Sequence, residues 1–511
     1  MIRRVKAKLN SYSFNARLIA GIILSGGIYA AFTAAFPLAK YYNIVPPLDY
    51  TKLTNYSLAG FLAYVLGIGV LFGVYIWSLR LFARGQFQIN IRFVVITSAI
   101  FALILVFSYP QTAIDIFIYA IRSRGWALYN MQPLATAPEM LPATDQWLGL
   151  SGEWADAPSP YGPVWEWLSL GAFGLIGLSG GHFLGHLLAL KGITALAYLG
   201  CVWWVYLILR NLRPDWATAG TIAFAWNPLV LFESVQNGHN DIVMVFFLLA
   251  AIWAFLKIEP HKNLFMTIIF CIFMAASILV KFVTVAVLPF FLLAIANLQP
   301  KWYQRVLSLV SYGSLITVLI IIGMLPFWPG VDHWAILHAN SGAGRSLLAL
   351  LVLGLKNTLG TNPAFDLSRG ILYGVCGVVF LYYTWKILTK RDQSKALPIT
   401  AAFYLLFWYV LLAAPTFHAW YLLWFLPLGS LLLPQQRPLI AGIIFSITAL
   451  YAIPYFETIR VWFPILLQNH FLGHIIGVSL LILPPIYALL RPVQWVPNSI
   501  TPQKSENEHG S

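Results

Sequence analysis

Charge is what this sequence has least of. Only 9% of its 511 residues are Asp, Glu, Lys or Arg, against 60% hydrophobic residues. A soluble domain carries roughly a quarter charged residues, so a water-facing globule is excluded. Cysteine is scarce as well: the three are Cys201, Cys271 and Cys376, each inside an apolar run. None pairs by spacing as a metal site or implies a disulfide framework, so they read as packing residues. Acids number 17 against 31 basic residues. Also missing are a Gly-rich nucleotide loop after a strand, a Gly-x-Ser-x-Gly elbow, a soluble nucleotide-sugar domain and an obvious internal repeat.

What fills the chain instead is apolar runs of about 20 residues, the length that crosses a bilayer. Spans are expected near 18–36, 57–79, 92–109, 190–210, 216–235, 240–257, 263–280, 282–298, 305–326, 368–388, 397–413, 416–433, 438–455 and 471–490. The expected fold class is an all-α polytopic membrane protein, a bundle of about fourteen transmembrane helices with interfacial helices in long loops. The basic start Met1–Lys8 precedes the first run, which reads as an uncleaved anchor. Trp, Tyr and Phe are abundant, at 20, 25 and 35, as interfacial belts require.

The net charge of +14 reads as positive-inside loops rather than a nucleic-acid surface. With both termini cytoplasmic, most Lys and Arg fall inside and most acids outside. This balance holds only if the apolar run 163–188 does not cross. That run is therefore expected to lie along or dip into the outer interface. Three outer segments are long: 110–189, 327–367 (with Asp332, His333, Trp334 and His338) and 456–470. Residues 1–491 form a single transmembrane domain in this reading, and 492–511 a disordered cytoplasmic tail.

The chemistry is then expected on the outer face. Asp115 follows a span, and an acid at that depth is costly against lipid. In a helix, Asp115, Tyr119 and Arg122 share one face. Asp115 has the character of a general base, or it pairs with Arg122 or caps a helix. A second cluster runs from Asn227 to Asp241. Asn227-Pro228 breaks a span. Glu233, Asn237, His239, Asn240 and Asp241 then crowd nine positions around Gly238. Helix capping needs one such residue, not five. His239, Asp241 and Asp115 lack a strong metal spacing, and no metal site is assigned. Lys281, Arg345 and His418 are outer-face cations that snorkel or hold a lipid phosphate. Tyr161-Gly162-Pro163 is expected to fix the entry of the interfacial helix, with Trp165 and Trp167 in the headgroups.

Three stretches carry a resemblance: the lone Asp115 at the start of a long outer loop, Tyr161-Gly162-Pro163-Val164-Trp165, and Asn227-Pro228 with Glu233 and Asn237-Gly238-His239-Asn240-Asp241. Lys281-Phe282 and Phe417-His418-Ala419-Trp420-Tyr421 fit it too. The chain resembles GT-C superfamily integral-membrane glycosyltransferases, most closely bacterial polyprenyl-phosphate-mannose-dependent mannosyltransferases. The resemblance implies a hexosyltransferase of the bacterial plasma membrane. Its donor is a polyprenyl-phosphate sugar, with mannose as the sugar, and its acceptor a glycan, lipid or protein. Asp115 maps to the catalytic acid of the family and deprotonates the acceptor in one inverting displacement, with Asp241 and His239 beside it. Tyr119, Arg122, Tyr161, Glu233, Asn237, Asn240, Trp420 and Tyr421 are expected to bind substrate, and Lys281, Arg345 and His418 the donor phosphate. No cofactor is required, and a divalent metal is not favoured because the first loop lacks the adjacent acid pair of some members. The competing class is a transporter or flippase for a lipid-linked saccharide. It predicts charge on both halves of the membrane and often an inverted repeat.

Overall fold

The computed structural model describes residues 2–83, 89–177, 182–259, 264–328, 343–389 and 395–491. The expected tail 492–511, and Asp332, His333, Trp334 and His338, lie outside the described residues. All regular structure within them is helical, apart from two isolated bridges, Pro37 with Ser108 and Gly344 with Thr416.

Among the described residues, seven helices are long and apolar enough to cross a membrane: Ala16–Ala35, Leu58–Leu81, Phe183–Leu212, Trp302–Phe327, Thr361–Thr389, Gln436–Trp462 and His470–Leu490. Six shorter apolar helices accompany them, among them Ile91–Val106, Leu264–Val280 and Leu397–Ala413. The chain is thus an all-α polytopic membrane protein, and its lengths do not fix a count of fourteen crossings. Trp302–Phe327 buries only 6% of its apolar window, whereas Gln436–Trp462 buries 67%. Exposed Val306, Leu307, Val310 and Ile321 give the first an outward apolar surface that only lipid satisfies. The Asp241–Leu256 helix is enclosed, packed between Leu264–Val280 and Phe183–Leu212.

One expected element differs, and one expected break is present. The run 163–188 is not one helix: Pro163–Gly177 ends there, and Phe183–Leu212 is a single 30-residue helix that takes in the end of that run. The backbone of His182 is extended, at φ −77° and ψ 140°, where the second helix starts. The run 216–235 is not continuous either. Ala217–Ala225 stops, and Asn227 caps a new turn by accepting from the Leu229 N–H at 3.0 Å. Pro228 occupies the first helical position, where its missing N–H costs nothing. A π-turn over Phe232–Gln236 follows, and the chain bends by 114° into Asp241–Leu256.

Candidate active site

The site is built where helices stop. After Ile91–Val106, the segment 107–114 is pinned by backbone bonds: Leu38 N–H to the Phe107 carbonyl at 2.8 Å and Tyr50 N–H to that of Gln111 at 2.8 Å. It delivers Asp115 as the first residue of the helix Asp115–Tyr129, where the helix dipole favours a negative charge. Asp115 is 6% exposed. Burial raises its carboxyl above the ordinary range, opposed by His239, Lys281 and the Trp154 indole, which donates to Oδ1 at 3.1 Å.

The bend after the π-turn supplies the second group. Gly238 takes φ +74°, and a Cβ there would stand 2.6 Å from Ile116. Glycine therefore permits both the turn and the approach to the Asp115 helix. The turn aims His239 between two carboxylates: Nδ1 lies 3.6 Å from Asp115 Oδ2, and Nε2 3.2 Å from Glu233 Oε2. These are close approaches without hydrogen-bond alignment. Glu233 is held by Asn237, whose Nδ2 donates at 2.8 Å, and Asn237 Oδ1 accepts from the Gln111 N–H at 3.1 Å.

A third wall comes from Leu264–Val280 and the aromatic stretch after Phe417. Lys281 Nζ lies 2.7 Å from Asp241 Oδ1, and the Trp424 indole donates to the same oxygen. The ammonium also sits over the rings of Tyr161, Tyr421 and Trp424 at 5.6, 5.3 and 5.3 Å. Tyr161 reaches it because the Gly162 N–H bonds the Val280 carbonyl at 3.0 Å. A Cβ on Gly162 would lie 2.1 Å from the Leu279 carbonyl oxygen, so that crossing needs glycine. Tyr119 donates to the Tyr161 hydroxyl at 3.3 Å.

Trp420 stacks on His239 with ring centroids 4.0 Å apart and on His418 at 4.1 Å. Two rings that close to one indole cannot share a face, so Trp420 is sandwiched. Beyond it lies a small pocket, lined in part by Thr112, Glu233, Arg345, His418 and Phe456. Burial and Arg345 push His418 below the ordinary histidine range.

The structure thus brings Asp115, His239, Asp241, Glu233, Asn237, Asn240, Tyr119, Tyr161, Trp420, Tyr421 and Lys281 into one neighbourhood. Arg122 bonds instead to the carbonyls of Ala157 and Pro158 at 2.9 and 3.2 Å, bracing the loop. Arg345 pairs with Glu457 at the pocket, so the three expected phosphate cations are split, with Lys281 on the Asp241 side. Sequence reasoning did not single out Trp154, Trp424 or Thr112 as site residues. Trp154 is 39 residues from Asp115 in irregular chain, with no periodicity to join them. Trp424 was within reach, three and four positions past Tyr421 and Trp420. Beside His239, whose ring nitrogens have no aligned partner, the cluster holds further buried polar atoms without a protein partner: both amide atoms of Asn240 and Oδ2 of Asp241, 0% and 1% exposed. Among the described residues no group of three or more His, Cys, Asp or Glu is arranged to hold a metal ion.

Residues 19–297, over half of the chain, match the family model described as alpha-(1->6)-mannopyranosyltransferase, N-terminal domain. Asp115, Glu233 to Asp241 and Lys281 all fall inside that segment. A polytopic helical membrane protein is the class that these helices define. More narrowly, the chain belongs to the alpha-(1->6)-mannopyranosyltransferase family.

Solved structures of an Archaeoglobus fulgidus oligosaccharyltransferase are distantly similar. The apo form has 13% identity and a TM-score of 0.37, covering 78% of this chain and 55% of its own. The archaeal oligosaccharyltransferase AglB in complex with an inhibitory peptide and a dolichol-phosphate has 15% identity and a TM-score of 0.37, covering 78% and 56%. The chain spans about half the length of these structures. No curated protein matches the chain.

Proposed function

We propose that the chain transfers mannose from a polyprenyl-phosphate donor to a glycan, lipid or protein acceptor by one inverting displacement. The reaction takes place at the outer face of a bacterial plasma membrane, with both chain ends in the cytoplasm. Asp115 is the general base, and the reading needs no cofactor.

The observation that carries this reading is the buried cluster in which Asp115 faces His239 beside the unpartnered polar atoms of Asn240 and Asp241. Buried amide and carboxylate atoms are nearly always paired, and unpaired ones suit the hydroxyls of a sugar. Lys281 is the cation placed to meet the leaving phosphate, where a charge develops as the bond breaks. A buried carboxylate whose proton affinity is raised has the basicity that an acceptor hydroxyl requires. Tyr161 and Tyr421 flank Lys281 and wall the sugar side.

The test is sugar transfer in membranes carrying the wild-type chain or Asp115→Asn. Radiolabelled polyprenyl-phosphate mannose serves as donor and native lipid extract as acceptor. Label reaching product only with the wild type, at equal expression, supports the reading. Transfer unaffected by the substitution removes Asp115 from the mechanism. Absence of transfer with this and other lipid-phosphate sugars favours a lipid-linked saccharide transporter.

A further inference from the structure

Glu233, His239 and Asp115 stand in a row, and the row has a direction. A neutral imidazole carries one N–H and one lone pair. The nearer carboxylate is Glu233, 3.2 Å from Nε2, while Asp115 lies 3.6 Å from Nδ1. A proton on Nε2 would face the nearer carboxylate, Glu233, and a lone pair on Nδ1 would face Asp115; neither approach is aligned as a hydrogen bond.

We propose that His239 takes over from Asp115 the proton of the acceptor hydroxyl, and that Glu233 is the positioning residue that keeps His239 in the Nε2–H form. The inference rests on the transferase reading above and assigns to Glu233 a role other than sugar binding.

Several features hold the row in place. The His239 N–H bonds the Glu233 carbonyl at 3.0 Å, so the π-turn ties the two residues through the backbone. Glu233 Oε2 accepts from Asn237 at 2.8 Å, and Oε1 from the Thr112 hydroxyl at 3.4 Å. Trp420 stacked on His239 fixes the plane of the ring. The charged and titratable groups around the row are Asp241, Lys281, Arg122, Tyr119, Tyr161 and Tyr421 near Asp115, and Arg345 and His418 across Trp420. The Tyr64 hydroxyl is the titratable neighbour of Glu233.

The proton balance closes. The acceptor oxygen bonds the anomeric carbon as the bond from that carbon to phosphate oxygen breaks, and the phosphate leaves with the electron pair. The hydroxyl proton passes to an Asp115 oxygen and on to Nδ1. Two carboxylates around a neutral ring become two carboxylates around an imidazolium, the charge arrangement that stabilises it best. Water takes that proton before the next turnover. The pocket lined in part by Glu233, Thr112 and Trp420 lies beside the row.

The experiment is Glu233→Gln in the full chain, assayed for transfer from radiolabelled polyprenyl-phosphate mannose to native lipid extract. The expected result is a kcat lower by roughly tenfold to a hundredfold with KM within about twofold. The acid limb of kcat should move to lower pH by about one unit, because the imidazolium has lost a counter-charge. A lower kcat with an unmoved pH profile would make Glu233 a brace for the turn and overturn the proposal. A second readout does not depend on turnover: 15N-histidine spectra of the full chain, assigned with His239→Asn. The Nε2–H form in the wild type, lost or mixed in Glu233→Gln, is expected. An Nδ1–H form in the wild type overturns the proposal. A wild type that transfers nothing from this donor sinks the transferase reading, while the spectra still decide the state of His239.

Discussion

Lys281 and Asp241 form a buried ion pair at 2.7 Å, with side chains 17% and 1% exposed. The two residues are 40 positions apart, one ending a helix and the other beginning one. Removing one partner strands a buried charge, which costs roughly 3–5 kcal/mol. Lys281→Gln is therefore expected to lower the melting temperature in detergent and abolish transfer. The double variant with Asp241→Asn leaves no net charge and should regain most of the melting temperature, yet stay inactive. Recovered transfer in the double variant would show that the pair only supports the fold.

The Trp154 indole donates to Asp115, and a hydrogen bond to the charged form lowers a carboxyl's proton affinity. Trp154→Phe takes that donor away, so protonation should occur at higher pH. The base must be ionised to act, hence the acid limb of the transfer rate should move up in pH by about half a unit or more. The limb belongs to the coupled Asp115–His239 pair rather than to either residue. A pH–rate profile of Trp154→Phe that overlays the wild type would sink the expectation.

Glu166 is 2% exposed and accepts from the Ser159 hydroxyl at 2.5 Å. Burial raises its carboxyl from 4.5 to about 7, against the lowering effects of Ser159 and Arg122. A folded value above the unfolded one means that the native state holds the proton more tightly. The stability that this contributes is complete below about 4.5 and lost as pH rises through about 7. At about 1.4 kcal/mol per unit, the difference is roughly 3 kcal/mol. The melting temperature of the wild type should therefore fall between pH 5 and pH 8, and that of Glu166→Gln should fall less. Equal slopes would remove Glu166 from the pH response.

Much of this was legible in the sequence, and for definable reasons. Apolar length announces a membrane helix wherever the run is unbroken, as at 57–79 and 471–490. Five polar residues around Gly238 could not all be caps, and the cluster does close on Asp115. Asn227-Pro228 marked the break in its own span. The rest was hidden because it depends on distance in space. Trp154 meets Asp115 through a loop without periodicity. Arg122 shares a helix with Asp115 but is drawn to the Ala157 and Pro158 carbonyls. The pairing of Arg345 with Glu457, 112 residues away, left no signal in the sequence.

Trp420 and Trp424 have one more consequence. Both lie beyond residue 297, where the family match ends, yet one covers the ring of His239 and the other bonds Asp241. The acids and the lysine are encoded in the first part of the chain and their cover in the last. A chain cut after residue 297 would keep every charged member of the cluster and leave its indole roof behind. The two parts are halves of one interlocking piece, complete only when the late aromatic turn has come back over the early acids.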